Sequence, residues 1–178
     1  MRSPHPLLCA ATLAFAAAVS SATAAPAAAA PCRGAEAAPG EVSDAALRRA
    51  LRCVVNAERA GHGRRRLRGQ RALGEAARRH ARDMVSRGYF AHERKGSTLA
   101  SRLRDAGWDG IAAGEAIAWG CGGLGEPRAI VDAWLASPPH REILLGRYRR
   151  VGVGMAAGAP YATDCPRAAT WVLVAGRN

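Results

Sequence analysis

The first 24 residues constrain this chain more than any later stretch, because they set the compartment in which it folds. Arg2 gives a short positive start, and residues 7–19 form an apolar run with Leu7, Leu8, Leu13, Phe15 and Val19. Ala22-Thr23-Ala24 then supplies small residues at an A-x-A spacing. This is the three-part layout of a secretory signal, and it predicts cleavage after Ala24 and a secreted, extracellular product. The competing reading is a buried N-terminal helix. Cys9 has no apolar stretch before it and does not read as a lipid-anchor cysteine. Residues 25–42 are rich in Ala and Pro and predict a flexible leader, which leaves 43–178 as the folded domain. No apolar run reaches the roughly 18–20 residues of a spanning helix, so no transmembrane span is expected once the signal is gone.

Removing the signal leaves Cys32, Cys53, Cys121 and Cys165. An even number of cysteines in an exported chain favours disulfides. Four cysteines allow three pairings; the preferred one is Cys32–Cys53 with Cys121–Cys165. The first would staple the leader to the opening helix, and the second would tie a Gly-rich loop to a late one. A structural zinc site competes with this reading, but the chain has no C-x-x-C pair.

Charge comes next. The 26 basic and 14 acidic residues give a formal net charge of +12, and Lys95 is the only lysine. Cleavage of the signal removes Arg2, for 12 − 1 = +11. Such a charge suggests nucleic acid at first, but export makes nucleic acid an unlikely partner. A basic exported chain meets wall polymers, anionic lipids and other polyanions. Aromatics are only 5% of the chain, too few to interleave with the arginines as single-strand binding requires. The Arg64–Arg68 run and the arginines of the second helix read either as a solvating surface or as bidentate binders of phosphate and carboxylate.

The apolar periodicity predicts four helices followed by strands. The first begins at Ser43 as N-cap, carries Leu47, Leu51, Val54 and Val55, and ends at Gly61-His62-Gly63. The second runs over about 71–87, with Gly88 as its stop. A short third helix starts from a Ser97 cap and closes at Gly107. The fourth starts near Glu126 with Pro127 in its first turn, and Ser137-Pro138-Pro139 breaks it before a short helical segment over 140–145. Val151, Val153 and Met155 alternate with Gly152 and Gly154 as a strand, in which the glycines read as packing geometry rather than a phosphate loop. Residues 171–175 form a second strand. Helices then strands indicate an α+β fold.

No G-x-S-x-G, H-E-x-x-H or phosphate-loop signature is present. The polar residues left in apolar settings are His80, His92, Glu115, Ser137 and His140. His80 lies on an apolar helical face and reads as a satisfied core histidine. His62 reads as exposed, and Asn56 and Glu58 as residues that hold loops by hydrogen bonds.

Six segments, in order over roughly residues 45–176, resemble the CAP superfamily in its bacterial, SCP-like secreted branch. They are Val55-Asn56-Ala57-Glu58-Arg59-Ala60, residues 77–84, Tyr89-Phe90-Ala91-His92, Gly114-Glu115-Ala116-Ile117-Ala118, Trp134 to Arg141, and Val151-Gly152-Val153-Gly154. The resemblance implies an α-β-α sandwich with a central antiparallel sheet. It also implies a cleft carrying His92, Glu115 and His140. The family's second acidic position is occupied here by Ser137. Ala116 replaces the family's Asn after the acid, Pro139 its Gly before the second His, and Trp171 to Gly176 depart from its polar W-T-Q-x-F-G ending.

Three functional readings follow. The leading one is a secreted binding module whose cleft, lined by His92, Glu115, Ser137 and His140, takes a metal ion or a small, lipid-like ligand, with a basic surface for envelope association. Two imidazoles and a carboxylate are a donor set suited to Zn²⁺, with His92, His140 and Glu115 as ligands. The second reading is a Zn-dependent hydrolase or protease. The third is a purely electrostatic binder of wall polymers or other polyanions. Whether the protein is an enzyme is left open by the sequence.

Overall fold

The computed structural model describes residues 32–178. The signal segment and the first part of the leader, through residue 31, lie outside the described residues. Helix α1 (Asp44–Gly61) starts where expected: the Ser43 side chain accepts the Ala46 N–H at 3.3 Å. A two-residue strand β1 (Arg68–Gly69) follows, then α2 (Arg71–Arg87), which ends on Gly88 in the left-handed region (φ 67°). Helix α3 (Leu99–Asp105) is capped by Thr98 rather than Ser97. Ser101 stands three residues after Thr98 and closes a reciprocal capping box, which Ser97 has no partner to form. Next come β2 (Ala112–Cys121), a 3₁₀ turn (Gly122–Gly125), α4 (Pro127–Ala136) and α5 (Pro138–Leu145). The chain closes with β3 (Arg150–Ala157) and β4 (Ala168–Arg177).

The sheet has the order β1-β3-β4-β2. Its three long strands are antiparallel, as expected, whereas β1 adds a short parallel pairing to β3 and makes the sheet mixed. On one face α1, α4 and α5 cover Val151, Val153, Met155, Trp171 and Leu173. On the other, α2 and α3 cover Ile117, Val172 and Val174. The alternation explains the near-continuous apolar run of β4: a strand covered on both sides needs an apolar residue at every position. Two of the three core indoles find acceptors, Trp134 at the Ile117 carbonyl and Trp171 at the Gly125 carbonyl, each at 3.0 Å, whereas Trp108 Nε1 has no partner among the described residues.

Gly152 and Gly154 set how close α2 lies. A Cβ at Gly152 would run into the backbone of Leu73 and Gly74, and one at Gly154 into the backbone of Ala77 and Arg78. The two glycines are packing geometry, as read from the sequence. Asn56 also does what its sequence position suggested. Its amide brackets Leu67, donating to the carbonyl at 3.1 Å and accepting from the N–H at 2.7 Å, which fixes the arginine-rich loop.

The described part of the leader departs from expectation. Residues 32–42 pack on the core instead of trailing from it: Cys32, Ala35 and Ala38 are buried, and the Ala35 carbonyl accepts the Arg128 N–H at 2.9 Å. The physical reason is the Cys32–Cys53 disulfide, which ties this segment to α1. Cys121–Cys165 forms the second bridge, so both preferred pairings are present. Closing loops of 21 and 44 residues stabilises by about 3–4 kcal/mol each in the chain-entropy account.

Candidate functional site

Four elements converge beside the β2 edge of the sheet. Strand β2 carries Glu115, α3 carries Arg102, α2 carries His80, and the segment between α2 and α3 carries His92. That segment is anchored by Asp83 on α2, which accepts from the Tyr89 hydroxyl (2.7 Å) and from Arg94 Nε (2.8 Å). Partial burial opposes ionisation of Asp83. Hydrogen bonds from Arg94, Tyr89 and Arg87 outweigh it and hold the carboxyl well below the usual range. Burial, then the bond to Asp83, pushes the Tyr89 phenol up to about 12.

Glu115 is buried, and both its oxygens are engaged. Arg102 Nη2 donates to Oε2 at 2.8 Å and to Oε1 at 3.0 Å. The Arg102 side chain is 8% exposed and that of Glu115 3%, so the pair is withdrawn from water. Arg102 Nη2 also lies 3.0 Å from the His92 carbonyl. His92 Nδ1 lies 3.0 Å from Glu115 Oε1, while 49% of its side chain remains exposed. A carboxylate held by a guanidinium can only accept, so Nδ1 carries the ring proton. In the neutral ring Nε2 then has a lone pair free for another partner.

His80 is buried in the core as expected, but it is not satisfied. Its Nε2 has no hydrogen-bond partner among the described residues and stands 3.7 Å from Glu115 Oε1, beyond hydrogen-bond reach. Burial lowers its pKa against the pull of Glu115, so this contact joins a neutral ring to a carboxylate and is not an ion pair.

His140 sits in the first turn of α5, with its ring centroid 6.2 Å from that of His92 and the planes tilted by 42°. Burial first, and His92 second, lower its pKa, so it too presents a neutral imidazole at pH 7. Ser137 occupies the joint between α4 and α5. Its carbonyl starts α5 by accepting the Arg141 N–H at 2.8 Å, and its hydroxyl makes no capping bond. The chain thus brings His92, Glu115 and His140 together, while Ser137 serves as a hinge of the backbone.

Among the described residues no group of three or more His, Cys, Asp or Glu side chains is disposed to hold a metal ion. The physical reason is Arg102, which draws the Glu115 carboxylate inward and neutralises it. Two imidazoles remain, and the Nδ1 of one is oriented as in a metal-bound histidine, which ordinarily donates its other ring N–H to a carboxylate, as His92 does to Glu115. Arg102 was not singled out from the sequence. The available signal was its position three residues after Leu99 and next to Leu103, which puts it at the buried margin of α3.

A cavity of about 490 Å³ is lined by Pro139 beside His140 and by Ala112, Ile143 and Tyr148.

The comparisons agree with this architecture. Residues 53–174 match the CAP family, described as the cysteine-rich secretory protein family. No curated protein matches the chain by sequence. An extracellular protein from Bacillus anthracis that contains an SCP domain is similar in fold: TM-score 0.61, 23% identity, 78% of this chain covered and 45% of that one. An outer surface protein from Borrelia burgdorferi aligns with TM-score 0.62 and 20% identity over 72% of this chain and 90% of that one. A cysteine-rich secretory protein from Staphylococcus aureus aligns with TM-score 0.55 and 15% identity over 74% and 39%. The chain thus spans less than half the length of the Bacillus and Staphylococcus proteins. With the family matching over about two-thirds of its residues and the fold shared with these bacterial proteins, the chain belongs to the CAP family.

Proposed function

We infer that the protein is a secreted binding module in which His92 and His140 hold a divalent cation, Zn²⁺ by donor type, whose remaining positions take water or a small ligand. The observation that carries this is the pairing of two imidazoles with ring centroids 6.2 Å apart, one of them oriented through Nδ1 by a buried carboxylate. Glu115 acts on the ion only through His92, fixing the ring's tautomer and direction. The cation would supply Lewis acidity and exchangeable positions. The two disulfides and the extracellular or surface character named for two of the similar proteins support a secreted setting. The arginine-rich surface supports association with acidic envelope polymers. The carboxylate that a Zn-dependent hydrolase could use as base, Glu115, is engaged by Arg102 on both oxygens. The binding reading is therefore preferred.

Calorimetric titration of the purified protein with Zn²⁺ at pH 7.5 tests it. One equivalent is expected to bind, with His92→Ala and His140→Ala each weakening it by at least about tenfold. Unchanged affinity in the double variant, or no uptake by the parent protein, would overturn the assignment.

A further inference from the structure

At the opposite edge of the sheet from the histidines, β3 is barely paired. Strand β1 pairs only with Arg150 and Val151, so residues 152–157 have no strand beside them on that side. A row of connected hollows runs along this edge between α1 and α2. One of about 520 Å³ lies over Met155, Ala156 and Ala157 and shares Arg48 and Arg78 with the next, of about 390 Å³. The latter shares Arg52 and Gly69 with a third of about 910 Å³, which shares Arg65 and Arg149 with a fourth of about 240 Å³.

The charged side chains of the lining are almost all cationic, with Asp44 the one carboxylate among them. Helix α1 contributes Arg48, Arg49 and Arg52, and α2 contributes Arg71, Arg78 and Arg82. The loop after α1 and the start of β3 add Arg66, Arg68, Arg149 and Arg150. Of these ten, only Arg78 makes an ion pair with a carboxylate among the described residues, to Glu75. Asp44 lies at the far end, where it partly offsets Arg48. Burial first, and Arg78 second, lower the Arg48 pKa: cations here crowd one another. No aromatic side chain lines any of the four hollows.

We propose that this arginine groove is a binding site for a linear, base-free phosphate polymer of a cell envelope. The proposal rests on the envelope-association reading and locates it. The elongated chain of hollows fits a polymer rather than a single ion. Guanidinium forks close on phosphate oxygens in bidentate fashion, and a tetrahedral phosphate accepts from several directions at once, as arginines on both walls require. The lack of stacking platforms disfavours single-stranded nucleic acid. Strand addition by an acidic peptide is disfavoured too: Gly152 to Ala156 are buried, so a peptide could not reach that edge without displacing the rim.

Binding of linear inorganic polyphosphate by the full-length protein, followed by fluorescence anisotropy in about 50 mM salt, tests the groove. The variant Arg49→Gln/Arg66→Gln/Arg149→Gln removes three exposed rim cations, and Arg33→Gln/Arg104→Gln/Arg177→Gln removes three exposed ones elsewhere. The groove variant is expected to bind about tenfold or more weakly, and the control variant within about twofold of the parent. Equal weakening by both would overturn the groove while leaving a diffuse envelope affinity standing; no binding by the parent would overturn both. Duplex DNA or polygalacturonate binding as tightly as polyphosphate at matched charge would overturn the ligand class.

Discussion

Replacing Arg102 with Met should be among the most damaging single changes that leave the cleft histidines in place. Met approximates the length of the aliphatic stem, so the packing of α3 against the sheet is largely retained. What is lost is the hydrogen bonding to Glu115 Oε1 and Oε2 at 3.0 and 2.8 Å and the reach to the His92 carbonyl at 3.0 Å. Glu115, 3% exposed, is left as a buried carboxylate without its counter-charge. Removing one member of such a pair typically costs about 3–5 kcal/mol, most of it the stranded charge and not the lost attraction. For a domain of this size that lowers the thermal midpoint by about 10 °C or more. The double variant Arg102→Met/Glu115→Gln separates the two contributions. With the charge gone, it should recover about 2 kcal/mol over the single variant, measured by urea unfolding with the disulfides intact. An Arg102→Met variant within about 1 kcal/mol of the parent, or a double variant no more stable than the single, would refute the view that this ion pair holds the site.

Two further predictions concern the helix layer over the sheet. Gly152→Ala should destabilise by about 3 kcal/mol or more, because its Cβ meets the Leu73–Gly74 backbone, whereas Gly61→Ala, with open space around its Cβ, should be neutral within about 0.5 kcal/mol; comparable urea midpoints for the two variants would contradict the close approach of α2. His80 provides a pH dependence. Facing Glu115, Arg102 and Tyr89, with Asp83 beyond, it is held below its ordinary value chiefly by burial. The unfolded chain therefore binds more protons, and stability is full above about pH 6.5 and falls as pH drops through the window below it. His140 contributes with the same sign, so His80→Gln should flatten, without abolishing, the fall in thermal midpoint between pH 7.5 and 5; an unchanged slope would show that His80 titrates alike in both states.

What the sequence disclosed followed the range of the interactions involved. Helix α2 was legible to its bounds because an apolar stripe and Gly88 are local signals. Strand β2 carries little strand signal of its own, since Ala112 to Cys121 is rich in Ala and Gly and poor in β-branched residues. Strand β1 has no sequence signal: two residues become a strand because Arg68 and Gln70 N–H groups find carbonyls on Arg149 and Val151. The packed segment 32–42 looked like leader by composition, and its fate was decided by a covalent tie and a few buried alanines. At the site, motif resemblance placed His92, Glu115 and His140 near one another but could not say which oxygen faced which cation. Arg102 reaches Glu115 across 13 positions from another element, a pairing that no local pattern records.

That pairing decides what the histidines can do. Had Glu115 faced the two rings unaccompanied, it would have been a third ligand or a base. With Arg102 against it, its charge is balanced inside the protein, and its remaining capacity is spent on the Nδ1 proton of His92. The ring is thereby fixed in one tautomer while half its surface stays open to exchange. A fixed donor atom on an exposed ring, with a second imidazole nearby, is the arrangement on which the proposed cation capture rests. The ion pair would serve that capture through orientation, and the loss of His92 alignment in Arg102→Met should accompany the loss of stability.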